Sequence, residues 1–295
     1  MLTEKQFNAL VYIMEMEKVI SQREIAKRIG CSLGSTNKVM GELSDLHYIV
    51  NGRLTEDGIG ELENYRVKRA VFMAAGFGSR LVPITLNTPK PLVRIKGKRI
   101  IDTLIDAVYS AGIEEIYIVR GYLGEQFDQL LYQYPGIRFI ENPTYNESNN
   151  IASALYACDH LNRAYILDAD LYLKNPSLIT KYQYTSNYLG VPVDVTDDWC
   201  LKTKNGIIDS IALGGEDCYC WIGISYWTEA DGKRLAKDIK RVYQMPGGKE
   251  RYWDQVPLEC CRGDYRVSVR ECTFDDVIEI DTFRELKQID KSYDV

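Results

Sequence analysis

The chain has 295 residues, 45% of them hydrophobic: enough to bury a full core and too many for one ordinary small domain. Its formal net charge of -6 argues against whole-protein attachment to nucleic acid or an anionic membrane, so any DNA contact is local. No run approaches the roughly 18 apolar residues of a membrane span, and MLTEKQFNAL lacks the layout of a signal peptide, which predicts a cytoplasmic protein. The eight cysteines include Cys218-Tyr-Cys220 and Cys260-Cys261 but no paired CxxC knuckles, and they read as reduced, mostly buried thiols. With two histidines, His47 and His160, histidine-rich metal or triad chemistry is not expected.

Thr3 and Gln6 have the form of a capping box, and Phe7, Leu10, Val11 and Met14 follow at helical spacing, predicting a first amphipathic helix. Ser21-Gln-Arg-Glu24 is a second capping box, with Ile25, Ala26 and Ile29 inward and Gly30 as the stop. A third helix is predicted from near Ser32 through GSTNKVMGELSDL. Tyr48-Ile-Val50, Asn51-Gly52 and Arg53-Leu54 then read as a hairpin, because Asn-Gly suits a two-residue turn with positive φ at both positions.

Helix, helix, helix, hairpin, from Thr3 to about Asn64, resembles the MarR-like winged helix-turn-helix family. The resemblance implies a third helix in the major groove, presenting Ser32, Ser35, Asn37 and Lys38, with Arg53 on the wing. Residues 1–66 hold eight Lys/Arg and ten Asp/Glu, whereas residues 21–40 hold four basic and one acidic, leaving a small local basic face. DNA binding stays open beside dimerisation into a homodimer, docking or ligand sensing.

From Lys68 onward, apolar runs alternate with helical stretches: RAVFMAAG, IDTLIDAVYSAG, IEEIYIVRGY, a helix near GEQFDQLLYQY, IRFIENP, NNIASALYACDHL and AYILDADLYL. Such alternation predicts a mostly parallel sheet covered on both faces, with a ligand beyond the carboxyl ends of the strands. No Gly/Ser linker separates Glu61 from Ala70. The loop after the first strand, AAGFGSRLVPITLNTPKPL, is no dinucleotide fingerprint, since Leu81 occupies the third glycine position, and no Walker A sequence is present.

Ala74-Ala-Gly-Phe-Gly78-Ser-Arg80-Leu81, Pro83-Ile-Thr85 and Pro89-Lys90-Pro91-Leu92 resemble the signature of the sugar-nucleotidyltransferase superfamily. The expected fold is therefore α/β: a Rossmann-like nucleotidyltransferase domain (67–295) with a mixed, mostly parallel sheet, preceded by a small winged-helix domain (1–66). Glycines such as Gly76 and Gly78 let backbone N–H groups approach a triphosphate. Arg80 offers a fork of donors for the departing pyrophosphate, and Lys90 a point charge for the α-phosphate.

Triphosphate chemistry normally uses Mg²⁺ held by one or two carboxylates. Tyr165-Ile-Leu-Asp168-Ala-Asp170 and Val277-Ile-Glu279-Ile-Asp281 each end a strand in an acid-x-acid pair. By the resemblance, Asp170 and Asp281 hold the metal, with Asp168 and Glu279 in support.

Within the superfamily, GYLGEQFDQL, Tyr145-x-x-x-Asn-Asn150-Ile, YILDADLYL and EIDT are similar to the small bacterial CTP:phosphocholine cytidylyltransferases over about residues 68–295. The resemblance places cytosine against Ala74, Ala75, Gly121, Tyr122 and Asn150, and choline against Trp199, Glu250, Trp253 and Glu279. Indole and phenol faces with carboxylates, as in Asp197-Asp198-Trp199 and Glu250-Arg-Tyr252-Trp253-Asp254, suit a quaternary ammonium. Trp221 and Trp227 read as core. A glucose-1-phosphate enzyme would carry a Gly-x-Ala-Gln-type base loop, which is absent. Phosphocholine with CTP is the first expectation. Open alternatives are 2-aminoethylphosphonate, phosphoethanolamine or a sugar-1-phosphate as acceptor, or a regulator that senses a nucleotide.

Overall fold

The structure, a computed structural model, describes residues 1–16 and 19–294. They divide into two compact units: Met1–Arg66 with Tyr182–Tyr184, and Val67–Lys181 with Thr185 onward.

In the first unit, α1 (Glu4–Met16) opens on reciprocal bonds between Thr3 and Gln6, at 2.8 and 3.3 Å. The Ser21–Glu24 capping box opens α2 (Gln22–Arg28). Ser32 caps α3 (Leu33–Asp45), its Oγ accepting from the Ser35 N–H at 3.2 Å, so this hydroxyl serves the helix end. The two-residue strands β1 (Ile49–Val50) and β2 (Arg53–Leu54) pair antiparallel around Asn51 and Gly52, whose φ values of 50° and 73° are what this turn demands. Helix α4 (Glu56–Glu63) follows, capped by Thr55. Phe7, Leu10, Ile25, Leu43 and Leu62 fill the core between these elements. Tyr184 joins them: its ring stacks on Tyr65 at 5.7 Å and its hydroxyl donates to the Leu2 carbonyl.

The second unit runs β3 (Arg69–Ala74), the short hairpin β4 (Arg94–Ile95) and β5 (Lys98–Arg99), α5 (Ile100–Ser110), β6 (Glu115–Arg120), β7 (Ile137–Glu141), α6 (Ile151–Tyr156), β8 (Ala164–Asp168) and β9 (Leu171–Leu173). Then come the long strands β10 (Asn187–Lys204) and β11 (Ile207–Trp227), α7 (Glu229–Tyr243), β12 (Ser268–Glu271), β13 (Val277–Glu279) and α8 (Phe283–Ile289). Seven strands form one sheet in the order β10-β12-β11-β8-β3-β6-β7. β3 lies parallel between β6 and β8, which is why its sequence is an unbroken apolar run, and antiparallel β11 makes the sheet mixed. Core clusters on both faces, one around Phe72 and Leu104 and one around Val71 and Leu235, complete the layers.

Gly124–Tyr132, expected as an α-helix, winds as a 3₁₀ segment entered through Leu123 at φ 50°. Bonds such as Gln126 N–H to Leu123 O span three residues, the tighter turn.

The β10–β11 hairpin curls back on itself. Cys200 pairs with Ala212 on one side and Cys220 on the other, while Ile207 reaches Ser268 of β12, which itself pairs with Asn187. The pairings close a small ring of strand segments. Among the described residues no helix is long and apolar enough to cross a membrane.

Candidate active site

β3 ends at Ala74 and releases the chain into the glycine loop at the carboxyl edge of the sheet. Gly78 sits at φ 61°, a left-handed conformation, and a Cβ there would lie 2.9 Å from the Lys90 Cβ. Thr85 Oγ1 donates to the Gly78 carbonyl at 2.8 Å, folding the loop over. The 3₁₀ turn Lys90–Leu92, entered from Pro89, then aims the Lys90 side chain back under the glycines.

The two acid-x-acid motifs, about 110 residues apart in sequence, become neighbours because β9 and β13 pair antiparallel, with Leu171 opposite Glu279. Asp170 precedes β9 and Asp281 follows β13, so their carboxylates and that of Glu279 bring one oxygen each within 4.8 Å of one another. Such a set of hard oxygen donors fits a divalent cation like Mg²⁺. Lys90 Nζ donates to Asp170 Oδ2 at 2.7 Å and to Asp281 Oδ1 at 2.8 Å, and Arg80 donates to the same Asp281 oxygen at 2.8 Å. Asp281 is steadied by the start of α8: its N–H donates to Glu285 Oε2, as does the N–H of the capping residue Thr282.

Burial pulls the Lys90 ammonium down, but Asp170 and Asp281 outweigh it and hold the group above the ordinary lysine value. Burial, then the Asp170 and Asp281 charges, push Glu279 up to about 8. Asp168 is pushed well above its usual range by burial and by Asp170, Asp254 and Glu279. Its carboxylate occupies a notch left by Gly223, where a Cβ would meet Oδ2 at 2.3 Å.

These groups line a cleft of about 730 Å³. Ala74, Ala75, Gly76, Gly78, Arg80, Lys90 and Asn150 are among its lining residues. The clustered carboxylates of Asp170, Glu279 and Asp281 line it too, as does Trp199.

Four further residues expected at the site are not among those lining this cleft. Gly121 is covered by Tyr145, whose ring leaves no room for a Cβ at that position. Tyr122 braces the loop, its hydroxyl donating to the Thr85 and Leu86 carbonyls. Trp253 is 2% exposed and packs against Tyr188 and Trp227 in the core, its backbone N–H donating to Asn150 Oδ1. Glu250 points to solvent while its carbonyl accepts from Asn149. Trp221, read as core, packs against the core around Val71 and Leu235 and also lines the cleft, and Trp227 is buried as expected.

The cleft also contains Phe77, which no motif singles out, and Tyr252 and Asp254 of the acidic-aromatic segment. Phe77, at the variable position of Gly76-x-Gly78, meets Tyr145 with ring centroids 5.3 Å apart. Tyr252 crosses edge-on to Trp199 at 5.8 Å. Asp254, 3% exposed, faces the cleft and accepts from the buried Tyr188 hydroxyl at 2.7 Å. Burial pushes its carboxyl up to about 7, against the lowering effect of that hydroxyl. Of the acidic-aromatic segment 250–254, Tyr252 and Asp254 are the members that line the cleft.

In the first unit, Asn37, Lys38 and Arg53 are exposed and Ser35 is half-buried. Lys38 lies 3.9 Å from Glu42, one turn along α3.

The family described as nucleotidyl transferase matches residues 69–189. The chain is 35% identical over 234 residues to a 2-aminoethylphosphonate cytidylyltransferase of Lancefieldella rimae, covering 78% of this chain and 95% of that protein. It is 32% identical to a choline-phosphate cytidylyltransferase of Streptococcus pneumoniae, covering 76% of this chain and 97% of that one. The solved structure of the CTP:phosphocholine cytidylyltransferase from Streptococcus pneumoniae superposes with a TM-score of 0.71 at 30% identity, covering 77% of this chain and 99% of that one.

Proposed function

Because the chain belongs to the nucleotidyl transferase family and is an enzyme of the cytidylyltransferase type, we propose that it moves CMP from CTP to a small phosphate or phosphonate ending in an ammonium group. The products are a CMP-linked acceptor and pyrophosphate. The observation that carries this reading is the convergence of Asp170, Glu279 and Asp281 beneath a glycine loop that supplies Lys90 and Arg80.

The acceptor's phosphate or phosphonate oxygen attacks the α-phosphorus in line, and no general base is needed because that oxygen is already anionic. Lys90 stabilises charge on the α-phosphoryl group, and Arg80 grips the departing phosphates. Asp170 and Asp281 are the residues to hold Mg²⁺, with Glu279 beside them; the ion supplies charge neutralisation at phosphate oxygens. Ala74, Ala75 and Asn150 face the nucleotide, with Phe77 and Tyr145 closing the side where Gly121 and Tyr122 were expected.

Two acceptors lead. Phosphocholine is favoured by the indole and phenol faces of Trp199, Trp221 and Tyr252, each worth roughly 0.5–2 kcal/mol to a quaternary ammonium. 2-Aminoethylphosphonate is favoured by Asp254, a buried acceptor that a primary ammonium can answer with an N–H. The test is pyrophosphate release with CTP, UTP or ATP against phosphocholine, 2-aminoethylphosphonate, phosphoethanolamine and glucose-1-phosphate. Release with CTP and one of the ammonium acceptors is expected. Preference for glucose-1-phosphate, or no turnover with CTP, overturns the reading.

The division into parts at 1–66 and 67–295 also belongs to this reading, with the first part a MarR-like winged helix-turn-helix. The order α1, α2, α3, hairpin supports it, as do the exposed Asn37, Lys38 and Arg53. Its role is local contact with DNA beside the catalytic activity.

A further inference from the structure

The acidic cluster lining the cleft already holds positive charge. Lys90 bridges Asp170 and Asp281 at 2.7 and 2.8 Å, two of the three carboxylates suited to a divalent cation, and Arg80 shares Asp281. With two basic groups against two aspartates, little net attraction remains for a further cation. The two basic groups are not equivalent: the Arg80 side chain is 66% exposed and can swing into water, whereas that of Lys90 is 8% exposed. Lys90 is also held along its stem, against Gly78 and between Pro89 and Pro91.

A divalent cation that takes the aspartates for itself strands the Lys90 ammonium in a buried place, and a buried charge without a partner is strongly unfavourable. Polyphosphate removes that obstacle, because its oxygens accept from Lys90 and Arg80 and release both aspartates at once. We propose that Lys90 is the resident counter-ion of the Asp170–Asp281 pair, which keeps a divalent cation out until a polyphosphate takes over its ammonium. Metal and nucleotide therefore enter together, and the nucleotide-free protein holds metal only weakly. The inference rests on the proposed function for the identity of the polyphosphate, but it is read on the protein alone.

The test uses the full chain, free of nucleotide, with Mn²⁺ as probe and free Mn²⁺ followed by electron paramagnetic resonance. Wild type should bind weakly, and Lys90→Met should bind about tenfold tighter or more, the scale of one unit charge at ion-pair distance. Lys90→Arg keeps the charge and should stay weak, and Asp281→Asn should cancel the gain in Lys90→Met. Equal or weaker binding by Lys90→Met overturns the proposal. Should that variant fail to fold, the wild-type chain still answers by the ¹⁵N resonance of the Lys90 ammonium. It should hold its position with Mg²⁺ alone and move when tripolyphosphate is added with the metal; movement with Mg²⁺ alone overturns the proposal. Absence of pyrophosphate release from CTP, with these binding results intact, would sink the functional reading and leave the counter-ion role standing.

Discussion

Trp253 and Asp254 are adjacent, yet one belongs to the core and the other to the cleft. Replacing Trp253 by Ala should cost about 3–5 kcal/mol of stability, as for other large core aromatics, and a melting curve measures it. Trp199→Ala should leave the melting curve nearly unchanged and raise the KM for the acceptor without raising that for CTP. Asp254 makes a prediction about pH. Its folded value of about 7 lies above the ordinary carboxyl value near 4, so between those limits the native state binds a proton that the unfolded chain releases. Stability therefore falls as pH rises from about 4 to about 7, and Asp254→Asn should flatten that slope in denaturant titrations across the same window. At this scale the gathering of the glycine loop, Arg80 and Lys90 at one cleft was legible, because these residues carry their chemistry in their identity. The placing of the aromatics was not: whether an aromatic faces core or cleft depends on which strands cover it. Trp227 lies where β11 pairs with β8, and Trp221 lies beyond that pairing, over the cleft.

Local elements were readable where their physics is local. The capping boxes at Thr3 and Ser21 and the Asn51-Gly52 turn formed as their sequences imply, since each depends on residues within one turn. The same kind of cap at Thr282 reaches beyond its helix, because Glu285 receives N–H bonds from both Thr282 and Asp281. Glu285→Ala should destabilise the end of β13 by about 1 kcal/mol and lower turnover by loosening Asp281, read by melting and by pyrophosphate release. Gly223→Ala should act more severely on Asp168, since the added methyl would lie at 2.3 Å from its carboxylate. The curl of β10 and β11 left no comparable trace in sequence. Its pairings join residues such as Cys200 with Cys220 and Ile207 with Ser268, and nothing in a strand's own composition names such a partner.

At the scale of the whole molecule, the overall charge of -6 and the small basic face of residues 21–40 set the conditions for any DNA contact. Binding should weaken steeply with salt, and Lys38→Glu together with Arg53→Glu should abolish retention on DNA while leaving pyrophosphate release unchanged. Retention that persists in the double variant would refute the assigned face. The ring formed by β10, β11 and β12 bears on how the protein behaves in concentrated solution. A strand whose outer side is already paired offers no row of unmet N–H and C=O groups to another chain. At the opposite end of the main sheet, β7 is five residues long and places the charged Arg138 and Glu141 at its exposed positions. Templated strand addition, the first step of sheet-driven aggregation, therefore meets a short, charged rim at this end of the sheet.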